Sequence, residues 1–184
     1  MYWTNRHKVA TILSMTTLTH IVIGSVIAKA ALTGYATGAN PALMYAVAIV
    51  FSNIPDSDIP LYGIRKSMQF TWNHRLQSFF HWPLFWFSLF ALFQIFAPSQ
   101  ILAITMPYFS VALLSVALHF FMDTVGIYNG IYWFRPFIKK EMSFTKLSQR
   151  PNQAKLFVVD YCKSTVFKME LILMIGSVFF FMST

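Results

Sequence analysis

The sequence predicts an all-α, multi-pass transmembrane bundle of about five spans with a cytoplasmic N-terminus. Three observations carry that reading. Of the 184 residues, 57% are hydrophobic and only 11% are charged, against about 25% charged in an average soluble domain. The apolar residues lie in long runs free of Asp, Glu, Lys and Arg. The basic residues outside those runs fall on one side of the membrane that the runs imply. A single soluble core on so short a chain cannot hide this much apolar surface, so the excess faces lipid. Disorder is excluded by the same composition, because disordered segments are polar and poor in aromatics. A net charge of +8 on a soluble protein would point to nucleic acid; here it reads as topology, and no nucleic-acid partner is expected. Cys162 stands alone, which excludes an intramolecular disulfide, a CxxC redox pair and a multi-cysteine zinc site.

The charge-free runs locate the spans. Val9–Ala28 and Ala30–Pro55 contain no Asp, Glu, Lys or Arg, and neither does the 47-residue run Leu76–Met122. A spanning helix needs about 20 apolar residues. The long run is therefore a hairpin of two helices, broken at Ala97-Pro98-Ser99-Gln100, where proline stops the first. The expected spans are Val9–Ala31, Pro41–Ile54, His81–Ala97, Gln100–Met122 and Thr165–Ser183, all within one membrane domain covering residues 1–184. The second, at 14 residues, is too short to cross unless 36–40 joins it; a re-entrant segment is the alternative. The fifth carries Lys168 and Glu170 near its start. The first is longer than the apolar region of about 7–15 residues in a signal peptide and reads as a retained helix.

Loop charges set the orientation. Arg6 and Lys8 precede the first span, and Arg65, Lys66 and Arg75 lie between the second and third. Arg135, Lys139, Lys140, Lys146, Arg150, Lys155 and Lys163 lie between the fourth and fifth, and the other connections carry none. The positive-inside rule then places the N-terminus in the cytoplasm and the C-terminus outside. Lys29 and Lys168 remain within spans. The basic segment 124–164 is expected to lie along the cytoplasmic headgroups, where Lys and Arg attract anionic lipid, or to lid a site.

The few polar groups of the apolar segments gather at one face. Ionisable side chains there are costly and mark functional sites by default. Asp56 and Asp58 follow the second span, His74 and His81 lead into the third, and His119 and Asp123 close the fourth, all at the cytoplasmic side. His20 lies about 16 Å into the first helix, at 1.5 Å per residue, where it either reaches a recessed site or bonds between helices. His119 and Asp123 are four residues apart, on one helical face. They suit two ligands of one ion, or a ligand and the carboxylate that orients it; a plain helix-terminal hydrogen bond is the alternative. His74 and His81 share a face if 77–80 is helical, and interfacial anchoring would equally place them there. Imidazole and carboxylate without sulfur suit Zn, Mn or Fe, and the number of candidates admits one ion or two.

In this order, His20, Pro55-Asp56-Ser57-Asp58, His74-Arg75 with His81, and His119-x-x-x-Asp123 followed by Thr124 and Gly126 resemble the YdjM-type family. These are bacterial inner-membrane proteins described as LexA-regulated, membrane-bound, metal-dependent hydrolases. The resemblance runs from about residue 15 to 137 and includes Tyr132-Trp133-Phe134-Arg135-Pro136-Phe137. It departs from the family's His-Arg-Gly-x-Thr-His spacing, since six residues here separate His74 from His81 and the glycine is missing. It implies a bacterial inner-membrane location and a metal-dependent hydrolase, and it supplies no substrate.

The expected enzyme holds a divalent metal, zinc favoured over manganese or iron. Asp56, Asp58, His74, His119 and Asp123 lead as ligands, with His20 and His81 next. Asp58, if not bound to metal, is the proton acceptor, and Arg75 is the clamp for an anionic substrate. Membrane lipids and a small or lipid-linked ester or phosphoester are the expected partners. The rival readings are a metal-ion or proton transporter, and a non-catalytic membrane protein whose polar groups join helices.

Overall fold

The computed structural model describes residues 3–57, 78–125, 131–140, 142 and 165–183. Among these the chain is all-helical, with one isolated antiparallel bridge, Ile131 to Met142, and no strand. The helices are α1 (Trp3–Gly34), α2 (Pro41–Asn53), α3 (Pro83–Phe96), α4 (Ser99–Val125) and α5 (Thr165–Ser183). Two 3-10 turns, Ile54–Ser57 and Phe79–His81, follow α2 and precede α3. Each expected span contains one helix. α1 extends past both ends of its segment, and α4 runs to Val125, which keeps Asp123 helical.

Local chemistry explains the ends. Asn40 accepts the Leu43 N–H at 3.1 Å, and Pro41 opens α2, a position where its missing N–H costs nothing. The segment 36–40 is a turn rather than a helical extension, so α2 keeps only 13 residues. Pro83 opens α3, and Trp82 before it is extended at φ −104°, ψ 107°, because a residue preceding proline is steered away from the helical region. The third helix therefore starts at Pro83, and His81 sits in the turn ahead of it. Ala97, before Pro98, is extended for the same reason and ends α3.

By length and composition, α4 and the Thr17–Gly34 stretch of α1 can each cross a membrane alone. At about 1.5 Å per residue, α2 and α3 reach only about 20 Å, short of the roughly 30 Å hydrocarbon core. That shortness makes the site recessed. The turns at the ends of α2 and α3 arrive beside His20, near the middle of α1, and beside the last two turns of α4.

The protein is apolar outside and polar within. Ile95, Phe96, Ile104 and Phe179 are exposed, while His20, Ser52, Asp56, His81, Ser115, His119 and Thr124 are buried. Lipid imposes this arrangement, since it welcomes apolar side chains and leaves polar groups only the interior. One apolar cluster joins α1, α2 and α4 through Ile27, Ala28, Ala31, Met44, Ala48 and Val111. The other joins α3 and α4 to Ile131 through Trp86, Phe90, Ala112, Val116 and Phe120.

Lys29, the cation within the first span, has a helix end to serve. Its ammonium donates to the carbonyl oxygen of Phe181 at 2.9 Å and stands 4.6 Å from the centre of the Phe181 ring. The last carbonyls of a helix lack intrahelical donors and carry the negative end of its dipole. The contact also sets the C-terminal ends of α1 and α5 together. Lys29→Met is expected to loosen α5 by about 1–2 kcal/mol, read as faster amide exchange confined to the last turns of α5. Exchange there equal to wild type would count against the cap.

Candidate metal centre

Asp56 is the hub. Pro55 ends α2 in a 3-10 turn, and the turn directs the Asp56 carboxylate inward, where it is 9% exposed. Its Oδ1 lies 3.2 Å from His81 Nε2 and 3.8 Å from His119 Nε2, and its Oδ2 lies 3.8 Å from His20 Nε2. His119 Nε2 is also 3.3 Å from Asp123 Oδ2, one helical turn along α4. The rings of His20 and His119 stack, with centres 4.1 Å apart. Asp56, His81, His119 and Asp123 each offer a ligand atom, and these atoms lie within 4.8 Å of one another.

The orientation of His119 is set by the backbone of α2. Its Nδ1 stands 2.7 Å from the carbonyl oxygen of Ser52, and a carbonyl only accepts, so Nδ1 carries the proton. Ser52 is in the last turn of α2, where the carbonyls run out of intrahelical donors. In the neutral ring the lone pair therefore sits on Nε2, facing two carboxylate oxygens. This is the arrangement of metal-ligating histidines, whose other nitrogen donates to a carbonyl or carboxylate.

The spacings suit a cation. Separations of 3.8 Å are too long for hydrogen bonds. Donors at about 2.1 Å from a tetrahedral ion stand about 3.4 Å apart, between the 3.2 and 3.8 Å found here. With neutral imidazoles the set carries two negative charges, which a divalent ion would balance in a site where Asp56, His81 and His119 are buried and Asp123 is partly exposed. The residues present thus fit a metal.

Of the expected site residues, His20, Asp56, His81, His119 and Asp123 meet in one place. Asp58, His74 and Arg75 lie outside the described residues, so nothing here locates them. Ser78 is non-helical and the turn Phe79–His81 is a 3-10 turn, so the continuous helix that would align His74 with His81 is broken. His81 instead reaches Asp56 because Ser78 caps its turn by accepting the Phe80 N–H, and Trp86 Nε1 donates to the Phe80 carbonyl at 2.9 Å.

Two supporting residues went unnoticed in the sequence. The Ser52 carbonyl is a backbone atom without a side-chain signature. Gly24 lies one turn from His20, and a Cβ there would stand 2.8 Å from the Ala48 carbonyl oxygen and 2.8 Å from Ser52 Oγ. The obstacle is helix backbone, which cannot swing aside, so glycine permits the approach of α1 to α2. The small-residue row Gly24, Ala28 and Ala31 was the available signal. Gly24→Val is expected to cost about 1–3 kcal/mol by overpacking and to move His20 away from Asp56. A melting temperature in detergent within a degree or so of wild type would refute the close approach.

The fold and the centre define a class: polytopic, all-helical inner-membrane proteins with a recessed, buried histidine–aspartate cluster able to hold a metal ion. Within that class the chain belongs to the YdjM inner membrane protein family, whose model matches residues 15–184 and so takes in all of the site residues. No curated protein and no solved structure matches the chain.

Proposed function

We propose that this protein is a membrane-embedded, metal-dependent hydrolase acting on an ester or phosphoester at the cytoplasmic membrane face. The observation that carries the reading is His119. Its Nδ1–H is committed to the Ser52 carbonyl at 2.7 Å, and its Nε2 is turned to Asp123 and Asp56. A backbone-held Nδ1–H with Nε2 facing carboxylate oxygens is the arrangement of metal-ligating histidines.

Zinc, with manganese or iron as alternatives, would be held by Asp56, His81, His119 and Asp123. When bound, such an ion supplies Lewis acidity and brings the pKa of water to about 7. The chain's own residues do the rest. Ser52 holds the tautomer of His119, and the stacked ring of His20 holds its tilt. Asp56 turns one oxygen to His81 and His119 and the other to His20. A second ion, if present, would draw on His20 and Asp56, with Asp58 and His74 as further candidate ligands. If Asp58 is left unbound, it takes the proton from the attacking water, and Arg75 is a candidate clamp for an anionic substrate.

The test is metal analysis of the full chain purified in detergent, before and after chelation, beside turnover of a panel of carboxylic esters and phosphodiesters. Stoichiometric metal, lost with the chelator together with turnover, is expected. Metal without turnover, but with metal flux in proteoliposomes, would favour a transporter. Absence of both metal and turnover would sink the reading.

A further inference from the structure

The segment 131–140 forms a strap packed against α3 and α4 beside the centre. Ile131 anchors it, 1% exposed, in the α3–α4 core. Trp133 donates its Nε1–H to Thr124 Oγ1 at 2.9 Å, and Thr124 is the neighbour of Asp123. Two residues on, the Arg135 guanidinium stands 5.4 Å from the ring centre of Trp82 and 4.9 Å from that of Tyr132. Trp82 is the neighbour of His81. The strap therefore touches the sequence neighbour of Asp123 at one point and that of His81 at another, with a cation at the second.

Two further features beside the centre bear on what binds. Trp82 Nε1 is a buried donor with no hydrogen-bond partner among the described residues. A buried N–H left in that state is costly, and an incoming oxygen would remove the cost. Beyond Arg135, Phe134, Phe137 and Ile138 are exposed, Phe137 at 83%, and the exposed Lys139 and Lys140 follow. Exposed aromatics beside lysines suit the lipid–headgroup boundary, where the ring enters the acyl layer and the ammonium meets lipid phosphate.

We infer that Arg135 and the Trp82 N–H form the entrance subsite for the phosphate of a membrane lipid, delivered to the centre along the strap. The inference rests on the hydrolase reading and names its substrate class, a phosphate-bearing lipid. Guanidinium is planar and matches two phosphate oxygens at once. Its seat on two aromatic faces restricts it before any ligand arrives, which lowers the entropy lost on binding.

The experiment uses the full chain in neutral detergent and measures binding of fluorescent short-chain phosphatidic acid by anisotropy. Competitors are unlabelled phosphatidic acid, diacylglycerol and inorganic phosphate. Phosphatidic acid should compete at least about tenfold better than either of the other two. Arg135→Gln should weaken binding about ten- to a hundredfold, and Arg135→Lys should retain part of it. Trp82→Phe, which keeps the ring and removes the N–H, should cost about three- to tenfold. Equal competition by diacylglycerol would remove the phosphate from the recognition, and equal competition by inorganic phosphate would remove the lipid. Unchanged affinity in both Arg135→Gln and Trp82→Phe would overturn the subsite. Bound metal is measured on the same preparations. Metal retained without phosphate selectivity defeats this inference alone, and phosphate selectivity without metal defeats the hydrolase reading alone.

Discussion

Asp56→Asn should abolish metal retention while the protein stays folded. The substitution keeps the shape of the side chain and removes its charge, and Asp56 is the residue that His20, His81 and His119 all face. Losing a group that merely orients a ligand costs about 10- to 100-fold in metal affinity, and loss of the central charged ligand should cost more. Stability gives the sharper contrast. In the wild type, a metal at 100 times its dissociation constant should add about 2.7 kcal/mol, seen as a higher melting temperature. In Asp56→Asn that increment should vanish. The melting temperature without metal should hold or rise, because a buried negative charge close to Asp123 has been removed. If Asp56 served only to join helices, the variant would instead melt lower with and without metal. Thermal unfolding in detergent with added zinc or chelator separates these outcomes.

His119→Ala should be the more damaging change, because it removes a ligand and a structural contact together. The Ser52 carbonyl loses the donor that now stands 2.7 Å away, at about 1–3 kcal/mol for a buried acceptor left bare. The His20 ring loses the face on which it stacks, and a cavity opens beside Phe120. Metal content and turnover should both fall to background, with a clear drop in melting temperature. Ser52 cannot be probed by side-chain replacement, since its carbonyl does the holding. A His119→Ala protein that kept full metal occupancy would remove His119 from the ligand set.

Much of this architecture is legible in the chain because prolines punctuate it. Pro41 and Pro98 each mark a helix boundary that the structure reproduces, while Pro83 starts the third helix two residues after the expected His81. The His119–Asp123 pair is legible because four residues make just over one helical turn, and α4 continues beyond Asp123. His81 is different. Its spacing from His74 points to two turns of helix, but Pro83 forces Trp82 out of the helical region, and the 3-10 turn before it redirects the imidazole. His81 ranks behind His74 in the sequence because its spacing departs from the family pattern, yet the 3-10 turn brings it to Asp56. Lys29 looked like an isolated cation in an apolar run because its partners, the carbonyls of Phe180 and Phe181, lie about 150 residues away along the chain.

What the sequence determined by itself was the solvent and the inventory. A chain with 57% hydrophobic and 11% charged residues belongs in lipid whatever its topology, and the scarcity of polar groups isolates the histidines and aspartates. These are properties of composition and of short-range spacing, and both are present before folding. Only the tertiary structure decided which of those groups meet. That depends on how closely α1 approaches α2 at Gly24, on the early endings of α2 and α3, and on the one backbone carbonyl at the end of α2 that faces His119. Each is a contact between segments distant along the chain or an atom common to every residue, and neither has a signature in the order of side chains.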